Sequence, residues 1–109
     1  MPYTAKRLFQ VQLTTGEVTE YTVSAGRQAI LKQITLANTS ASAATYAFSI
    51  VPSGGTAGAS NRIAGDISLP AKTSDVWDFT EVLEAGDFIS ATASAGTAIT
   101  MTASGVERT

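Results

Sequence analysis

Apolar side chains recur at every second position along most of this chain, and no other feature of the sequence constrains the fold as strongly. Phe9, Val11 and Leu13 alternate with polar residues, and residues 46–50 repeat the pattern. A two-residue period places alternate side chains on opposite faces of a β-strand. About eight such segments follow one another at a spacing of roughly ten residues, and none repeats with a helical period. The pattern predicts an all-β fold, a single antiparallel β-sandwich of the jelly-roll or immunoglobulin-like type.

Short turn sequences predict which strands pair. Thr15-Gly16 joins the first two apolar segments, and Ala95-Gly96 joins the last two. Turns of this kind commonly close β-hairpins. The sequence therefore predicts an opening hairpin within residues 9–23 and a closing hairpin within residues 89–103.

Rows of apolar residues predict which side chains face the core. In the segment 28–37, Ile30, Ile34 and Leu36 share one face, although Lys32 interrupts the row. Further inward rows are predicted at Tyr21 and Val23, at Tyr46, Phe48 and Ile50, at Ile63, Ile67 and Leu69, at Trp77 and Phe79, at Ile89, Ala91 and Ala93, and at Ile99, Met101 and Ala103.

Three turn sequences of similar form each stand just before a predicted strand. They are Ser24-Ala25-Gly26, Pro70-Ala71-Lys72 and Glu84-Ala85-Gly86. We interpret them as equivalent turns of a sandwich and not as a solenoid repeat. Asn38 begins another polar stretch, and we interpret it as a turn residue.

Length and charge limit the number of domains and the classes of partner. The 109 residues are interpreted as one domain, 1–109, with residues 1–7 as a candidate N-terminal arm that contains Lys6 and Arg7. A net charge of −2 and scattered basic residues argue against nucleic-acid binding. No apolar run is long enough for a membrane helix, and the N-terminus lacks a secretion signal. Because only 15% of the residues are charged, the surface is expected to favour contact with other protein copies.

The residue types that carry most enzyme chemistry are missing. The chain contains no histidine and no cysteine, which removes the usual general base, the commonest nucleophilic pairs and most transition-metal ligands. Asp75 and Asp78 are predicted on opposite strand faces, so a shared acid–base or calcium site is not expected. Glu84 and Asp87 bracket a turn and are expected to accept backbone N–H groups. The sequence predicts no catalytic, cofactor-binding or metal-binding residue.

Two further features of the sequence are candidate binding sites. The segment 52–58 is rich in glycine, but a phosphate loop needs a following helix and a lysine, and the sequence offers neither. Residues 54–61 are therefore predicted to form a flexible loop. Trp77 could form an aromatic surface for sugars with Tyr46, Phe48 and Phe79, but alternation favours a place in the core.

Five fragments, taken in order and spacing, resemble one group of proteins. They are YTVSAG at 21–26 leading to ILKQI at 30–34, then LANTS at 36–40, VPSGG at 51–55, LEAGD at 83–87 and ASGVE at 103–107. Together they resemble small β-sandwich structural proteins of tailed bacteriophages. Each fragment is ordinary turn chemistry, so the resemblance depends on all five. It covers most of the chain from Tyr21 onward.

The resemblance implies a structural component of the virion and no enzyme. Such a protein is a capsid decoration or cement protein, or a part of the tail or fibre. It binds major capsid or tail proteins, usually as a trimer or another symmetric homo-oligomer, and needs no cofactor. It is located in the virion after synthesis in the host cytoplasm. The alternative is a receptor- or carbohydrate-binding module of a tail or fibre, based on Trp77, Tyr46, Tyr3 and the loop 54–61.

Overall fold

Eight β-strands make up most of the chain, so the all-β class predicted from the alternation is confirmed. The computed structural model describes residues 3–108. The strands are β1 (Tyr3–Gln12), β2 (Val18–Thr22), β3 (Gln28–Asn38), β4 (Ala44–Val51), β5 (Arg62–Leu69), β6 (Ser74–Leu83), β7 (Phe88–Ala93) and β8 (Ile99–Arg108). Within these residues, no helix is long and apolar enough to span a membrane.

The strands form two four-stranded antiparallel sheets that pack face to face. Sheet I has the order β1-β8-β3-β6, and sheet II has the order β2-β7-β4-β5. Among residues 3–108, β4 and β5 are the single pair of consecutive strands that are neighbours in a sheet, because every other connection crosses between the sheets. This order is that of an eight-stranded jelly roll and not that of an immunoglobulin domain.

The predicted opening and closing hairpins are wrong. β1 pairs with β8 and β2 pairs with β7, so residues 9–23 are divided between the two sheets. β7 and β8 likewise lie in different sheets. A short turn can connect a strand to the opposite sheet as well as to a neighbouring strand of the same sheet. The pairing follows instead from the need to bury one face of each sheet against the other.

The core lies between the inward faces of the two sheets. On β8 the alternation is regular, since Ile99, Met101 and Ala103 are buried and the residues between them are half-buried. The inward rows predicted for β1, β2, β4 and β7 are also confirmed, at Phe9, Val11, Leu13, Tyr21, Val23, Tyr46, Phe48, Ile50, Ile89, Ala91 and Ala93.

A β-bulge at Lys32 changes which residues of β3 face the core. The register of β3 against β8 skips Lys32, so the alternation shifts by one residue there. After the bulge, Ile34 and Leu36 are buried as predicted. Before it, Leu31 is buried and Ile30 lies on the outward side. The predicted row is therefore wrong at Ile30.

A second irregularity, in β5, turns Ile63 outward. The register of β5 against β4 shifts on both sides of Ala64, and Asp66 has a φ of 50°. Ala64 is buried where Ile63 was expected, and Ile63 is exposed. Ile67 and Leu69, beyond the irregularity, face the core as predicted.

The three turns predicted to be equivalent share one backbone geometry. Gly26, Lys72 and Gly86 occupy the same third position, with φ values of 77°, 61° and 89°. In the first and third turns, the N–H after the turn donates to the carbonyl oxygen of the first turn residue, at 3.1 and 3.0 Å. A positive φ at this position is typical of a type II turn. The prediction of equivalent turns is confirmed.

Residues 3–7 of the candidate N-terminal arm belong to β1. They pair with β8, beginning with Tyr3 opposite Arg108. Met1 and Pro2, which complete the candidate arm, lie outside the described residues.

Candidate interaction surface

The outward side of sheet I is a continuous surface across four strands. Alternate residues of these strands point away from the core and align in rows across the sheet. We call this surface the outer face of sheet I. It consists of Tyr3, Ala5, Arg7, Gln10, Gln12, Gln28, Ile30, Gln33, Thr35, Ala37, Ser74, Val76, Asp78, Val82, Thr100, Thr102, Ser104, Val106 and Arg108.

Hydroxyl, amide and aliphatic side chains dominate this face. Its charged members are Arg7 and Asp78 on the edge strands β1 and β6, and Arg108 at the end of β8. Lys32 is also exposed, at the bulge of β3. Val76 and Val82 on β6 are 57% and 50% exposed. A surface with few charged side chains costs less free energy to desolvate than a highly charged one, which favours contact with another protein.

One row of this face is entirely apolar. Ala5 lies opposite Val106, and Val106 lies opposite Ile30. Ile30 in turn lies opposite Val82. This stripe crosses all four strands, and it exists because the bulge in β3 turns Ile30 outward. The sequence alone could not show it, since the alternation placed Ile30 in the core.

The outward side of sheet II is covered by the chain itself. Ser49, Val51 and Ser90 alternate with inward residues, yet all three are buried. Glu17 lies over Ser90 and accepts a hydrogen bond from its hydroxyl at 2.7 Å. Gly55 lies over Val51, since a Cβ on Gly55 would come within 3.2 Å of the Val51 side chain. Residues outside the strands therefore cover the middle of this side, while edge-strand residues such as Ile63 and Ser68 remain exposed.

A cavity of about 430 Å³ opens in this cover. It is lined by Glu17, Thr19, Gly55, Thr56, Ala57, Phe88 and Ser90. Arg62 contacts both carboxylate oxygens of Glu17, each at 3.1 Å. Burial alone would raise the pKa of Glu17, but the hydrogen bonds from Arg62 and Ser90 outweigh burial and lower that pKa. Glu17 is thus an ionised carboxylate with its bonds already made, which does not suit it to proton transfer.

The two aspartates considered as an acid–base pair lie on opposite faces of β6. Asp75 faces inward and accepts a hydrogen bond from the Tyr46 hydroxyl at 2.7 Å. Asp78 faces outward and accepts one from the Gln33 amide at 3.4 Å. Nowhere in residues 3–108 do three or more His, Cys, Asp or Glu residues come together to hold a metal ion.

The two carboxylates at the corner before β7 have different roles. Asp87 accepts hydrogen bonds from the backbone N–H groups of Glu84 and Ser53, both at 2.9 Å, as predicted. The prediction is wrong for Glu84, whose carboxylate accepts from the Gln28 amide at 3.0 Å. Both residues hold the corner together.

The aromatic residues considered as a sugar-binding surface are not assembled on the surface. Tyr46 is buried, and its hydroxyl donates to Asp75 and accepts from the Trp77 indole N–H at 2.8 Å. Burial raises the pKa of Tyr46 to about 12. Trp77 is half-buried and meets Phe48 edge to face, with 5.5 Å between ring centroids. Tyr3 is exposed on the opposite edge of sheet I. The carbohydrate-binding alternative therefore lacks a shared aromatic surface.

Two asparagine side chains organise turns. Asn61 accepts from the Gly58 N–H at 3.0 Å and donates to the Thr56 carbonyl at 2.9 Å, which closes the glycine-rich loop on itself. This loop leads into β5, so no helix N-terminus follows it. Asn38 is buried and accepts from the backbone and hydroxyl of Ser40. Its predicted role as a turn residue is confirmed.

Sequence reasoning missed a buried carboxylate at the end of β8. Glu107 is 7% exposed and accepts hydrogen bonds from Tyr21 at 2.7 Å, Lys6 at 3.2 Å and Arg27 at 3.1 Å. The bond from Tyr21 contributes most to lowering the pKa of Glu107, with further contributions from Lys6 and Arg27. Extending the inward row of β8 beyond Ala103 by period two would have placed Glu107 inside. Its three donors come from distant segments that only the fold brings together.

Comparisons with known proteins show similarity at the level of chain geometry alone. No protein-family model matches the chain, and no curated protein matches it. A chain in the structure of infectious bursal disease virus, Gx strain, matches with a TM-score of 0.48 and 16% identity over 97% of this chain. One in the Gt-strain structure matches with a TM-score of 0.42 and 13% identity over 96%. This chain spans 32% and 31% of their lengths. Similarity this distant carries no inference about function.

Proposed function

We propose that this protein is a structural accessory protein of a tailed bacteriophage virion, a capsid decoration or cement protein that stabilises the shell through protein–protein contacts. In this role it binds major capsid or tail proteins as a homo-oligomer such as a trimer. It catalyses no reaction and requires neither cofactor, nucleic acid nor membrane. It reaches the virion after synthesis in the host cytoplasm.

The outer face of sheet I is the observation that supports this role best. It offers rows of hydroxyl, amide and aliphatic side chains from four strands, with few charged residues among them. On the opposite side, loops cover the middle of sheet II, so the two sides differ in structure. A protein that lies on a shell needs one side for attachment and another that remains in solvent.

The ordered resemblance to phage β-sandwich proteins supports the same role. A lattice of identical binding positions would let many weak contacts add up, because copies that also contact one another bind multivalently. Such contacts depend on area and complementarity, which this face can supply without any polar group of unusual reactivity.

The location of the protein on the particle tests the proposal directly. Purified virions are separated into heads and tails, and each fraction is analysed by mass spectrometry. We expect the protein in the head fraction at a copy number comparable with that of the shell subunits. Its absence from both fractions would refute the virion role, and its restriction to tails would refute the decoration role.

A pair of substitutions tests the attachment face. Thr35→Arg places a charge at the centre of the outer face of sheet I, where Thr35 lies between Thr102 and Val76. Ser68→Arg places the same charge at an exposed position of sheet II and serves as the control. We expect Thr35→Arg to weaken binding to undecorated shells at least about tenfold, because central positions dominate interface energetics. Equal binding by the two variants would exclude this face.

A further inference from the structure

Sheet I ends in two long edge strands. Within residues 3–108, β1 and β6 each have a strand partner on one side only. Both strands are ten residues long and contain neither proline nor glycine. An edge of this kind exposes backbone N–H and C=O groups that can pair with a strand of another molecule. Charged residues on edge strands usually limit such pairing, so the charges on β1 and β6 indicate which partners are allowed.

The two edges carry charges of opposite sign. β1 contains Lys6 and Arg7 and no acidic residue. β6 contains Asp75, Asp78 and Glu81 and no basic residue. Like charges directly opposite one another destabilise a pair of strands, and opposite charges stabilise it. Pairing of β1 with β1, or of β6 with β6, is therefore disfavoured, whereas pairing of β1 with β6 is favoured.

The register of sheet I brings opposite charges to the same level. Arg7 lies opposite Ser104 on β8, which lies opposite Gln33 on β3. Gln33 in turn lies opposite Asp78 on β6. All four residues belong to the outer face of sheet I. If the sheet continues at this level into a second copy, Arg7 of that copy directly faces Asp78 of the first.

The neighbouring row repeats this arrangement on the inward side. Lys6 lies opposite Gly105, Gly105 lies opposite Leu31, and Leu31 lies opposite Glu81. The Lys6 ammonium contacts Glu107 at 3.2 Å, while its side chain remains 44% exposed. An ammonium has three donors, so Lys6 can keep this contact and also approach Glu81 of a neighbouring copy.

Strand direction allows the same contact. All three neighbouring pairs of sheet I are antiparallel, so β6 runs opposite to β1. A second copy in the same orientation therefore presents its β1 antiparallel to β6 of the first copy, with the geometry of every other pair in the sheet.

We infer that β6 of one molecule pairs with β1 of the next, which joins sheet I of successive copies into one continuous sheet. Asp78 and Arg7 form the central ion pair of this contact. The contact is heterologous, so it generates a closed ring or an open filament. This inference rests on the proposed function and deepens it, since it names a second copy of this chain as the partner at the edges.

Charge reversal tests the pairing. Arg7→Asp places two carboxylates opposite one another at the central ion pair, and Asp78→Arg places two guanidinium groups there. We expect each variant alone to self-associate at least about tenfold more weakly than the wild type, measured by sedimentation velocity. An equimolar mixture of the two variants should recover association, because each central contact between unlike variants then joins residues of opposite charge. The double variant Arg7→Asp with Asp78→Arg should recover it as well. Both positions are exposed, and circular dichroism checks that each variant is folded.

A disulfide tests the register independently. The chain has no cysteine, and Gln10 of one copy should face Val76 of the next, because both lie in one row with Thr102 and Thr35. Within one molecule these two positions are separated by three strand spacings, about 14 Å, which is too far for a disulfide. Gln10→Cys with Val76→Cys should therefore form oxidised oligomers. Gln10→Cys with Ile63→Cys, which places the second cysteine on sheet II, should not.

The outcomes separate this inference from the proposed function. Wild-type protein that stays monomeric at every concentration, or charge variants that associate like the wild type, would overturn the β1–β6 pairing. So would the absence of intermolecular disulfides in the first cysteine variant. In each case, loss of the pairing with continued binding to shells would leave the decoration role standing. Loss of shell binding with intact pairing would instead refute the decoration role and leave the β1–β6 pairing standing.

Discussion

Glu107 shows how one residue can join distant parts of this fold. Its carboxylate lies at one end of the sandwich, where an inward position would otherwise place an apolar side chain. Tyr21 from β2, Lys6 from β1 and Arg27 from the turn before β3 donate to it. A buried charge is tolerated only where its hydrogen bonds are made. The buried Glu107 carboxylate therefore depends on these three donors.

The charge of Glu107 should make stability depend on pH. Its pKa is lowered in the folded state, so its contribution is present above the pKa of the unfolded chain, about 4.3, and is lost as pH falls through the lower folded value. Glu107→Gln should reduce the free energy of unfolding at pH 7 by about 1–3 kcal/mol. Urea denaturation measured as a function of pH should show this difference shrinking in acid. Glu84→Gln, at an exposed carboxylate, is the control, and a difference that does not change with pH would contradict the assignment.

At the scale of elements, the contact between β3 and β8 depends on a glycine beside a bulge. A Cβ atom on Gly105 would collide with the backbone carbonyl oxygen of Ile30. The bulge at Lys32 lies on the adjoining part of β3, and it turns Ile30 toward the outer face of sheet I. Close approach of two backbones at a glycine is a known reason for glycine within a strand. The apolar row of the outer face therefore depends on both features.

Replacing Gly105 should lower the stability of the folded protein. Gly105→Ala forces one of the two central strands of sheet I to move, which should lower the free energy of unfolding by about 1–3 kcal/mol. The matched control is Gly16→Ala, because a Cβ atom on Gly16 meets no atom within 4 Å. Urea denaturation monitored by circular dichroism measures both variants. Equal stability of the two would show that β8 does not need the close approach at Gly105.

The alternation of apolar and polar residues predicted the strands and most of their inward residues. It could not predict the features that depend on which strands pair. Phe9, Val11 and Leu13 could be assigned because alternation is a property of the strand itself. The strand partners could not be assigned in this way. The turn sequence Thr15-Gly16 looks the same whether it closes a hairpin or connects strands of different sheets. Predicting the outer face of sheet I would also have required knowledge of which strands pair. Arg7 and Asp78 are 71 positions apart in the sequence, and only the register of four strands places them in one row.

For the whole molecule, the connectivity of the jelly roll makes nearly all of the structure non-local. The outermost pair of sheet I joins the first strand to the last, and within residues 3–108 only β4 and β5 pair as sequence neighbours. Each of the other pairings must bring together segments separated by at least one other strand. Closing such loops costs chain entropy before any contact can compensate for it.

This connectivity predicts slow folding. Refolding from denaturant should occur on a timescale of roughly milliseconds to seconds, as in other β-sandwich proteins dominated by long-range pairing. Stopped-flow dilution can follow the reaction through Trp77, whose half-buried ring packs against Phe48. A single phase completed in microseconds would show that folding does not wait for pairing of the first strand with the last.

The pairing of Tyr3 with Arg108 brings both ends of the described chain to one corner of the molecule. Opposed residues of an antiparallel pair have Cα atoms about 4.5–5.5 Å apart. A peptide fused to either end would therefore emerge from the same corner. A short linker could join the two ends, and the chain could be opened elsewhere to give a circular permutant. A foreign peptide displayed on this protein would therefore occupy almost the same position whichever of the two ends carried it.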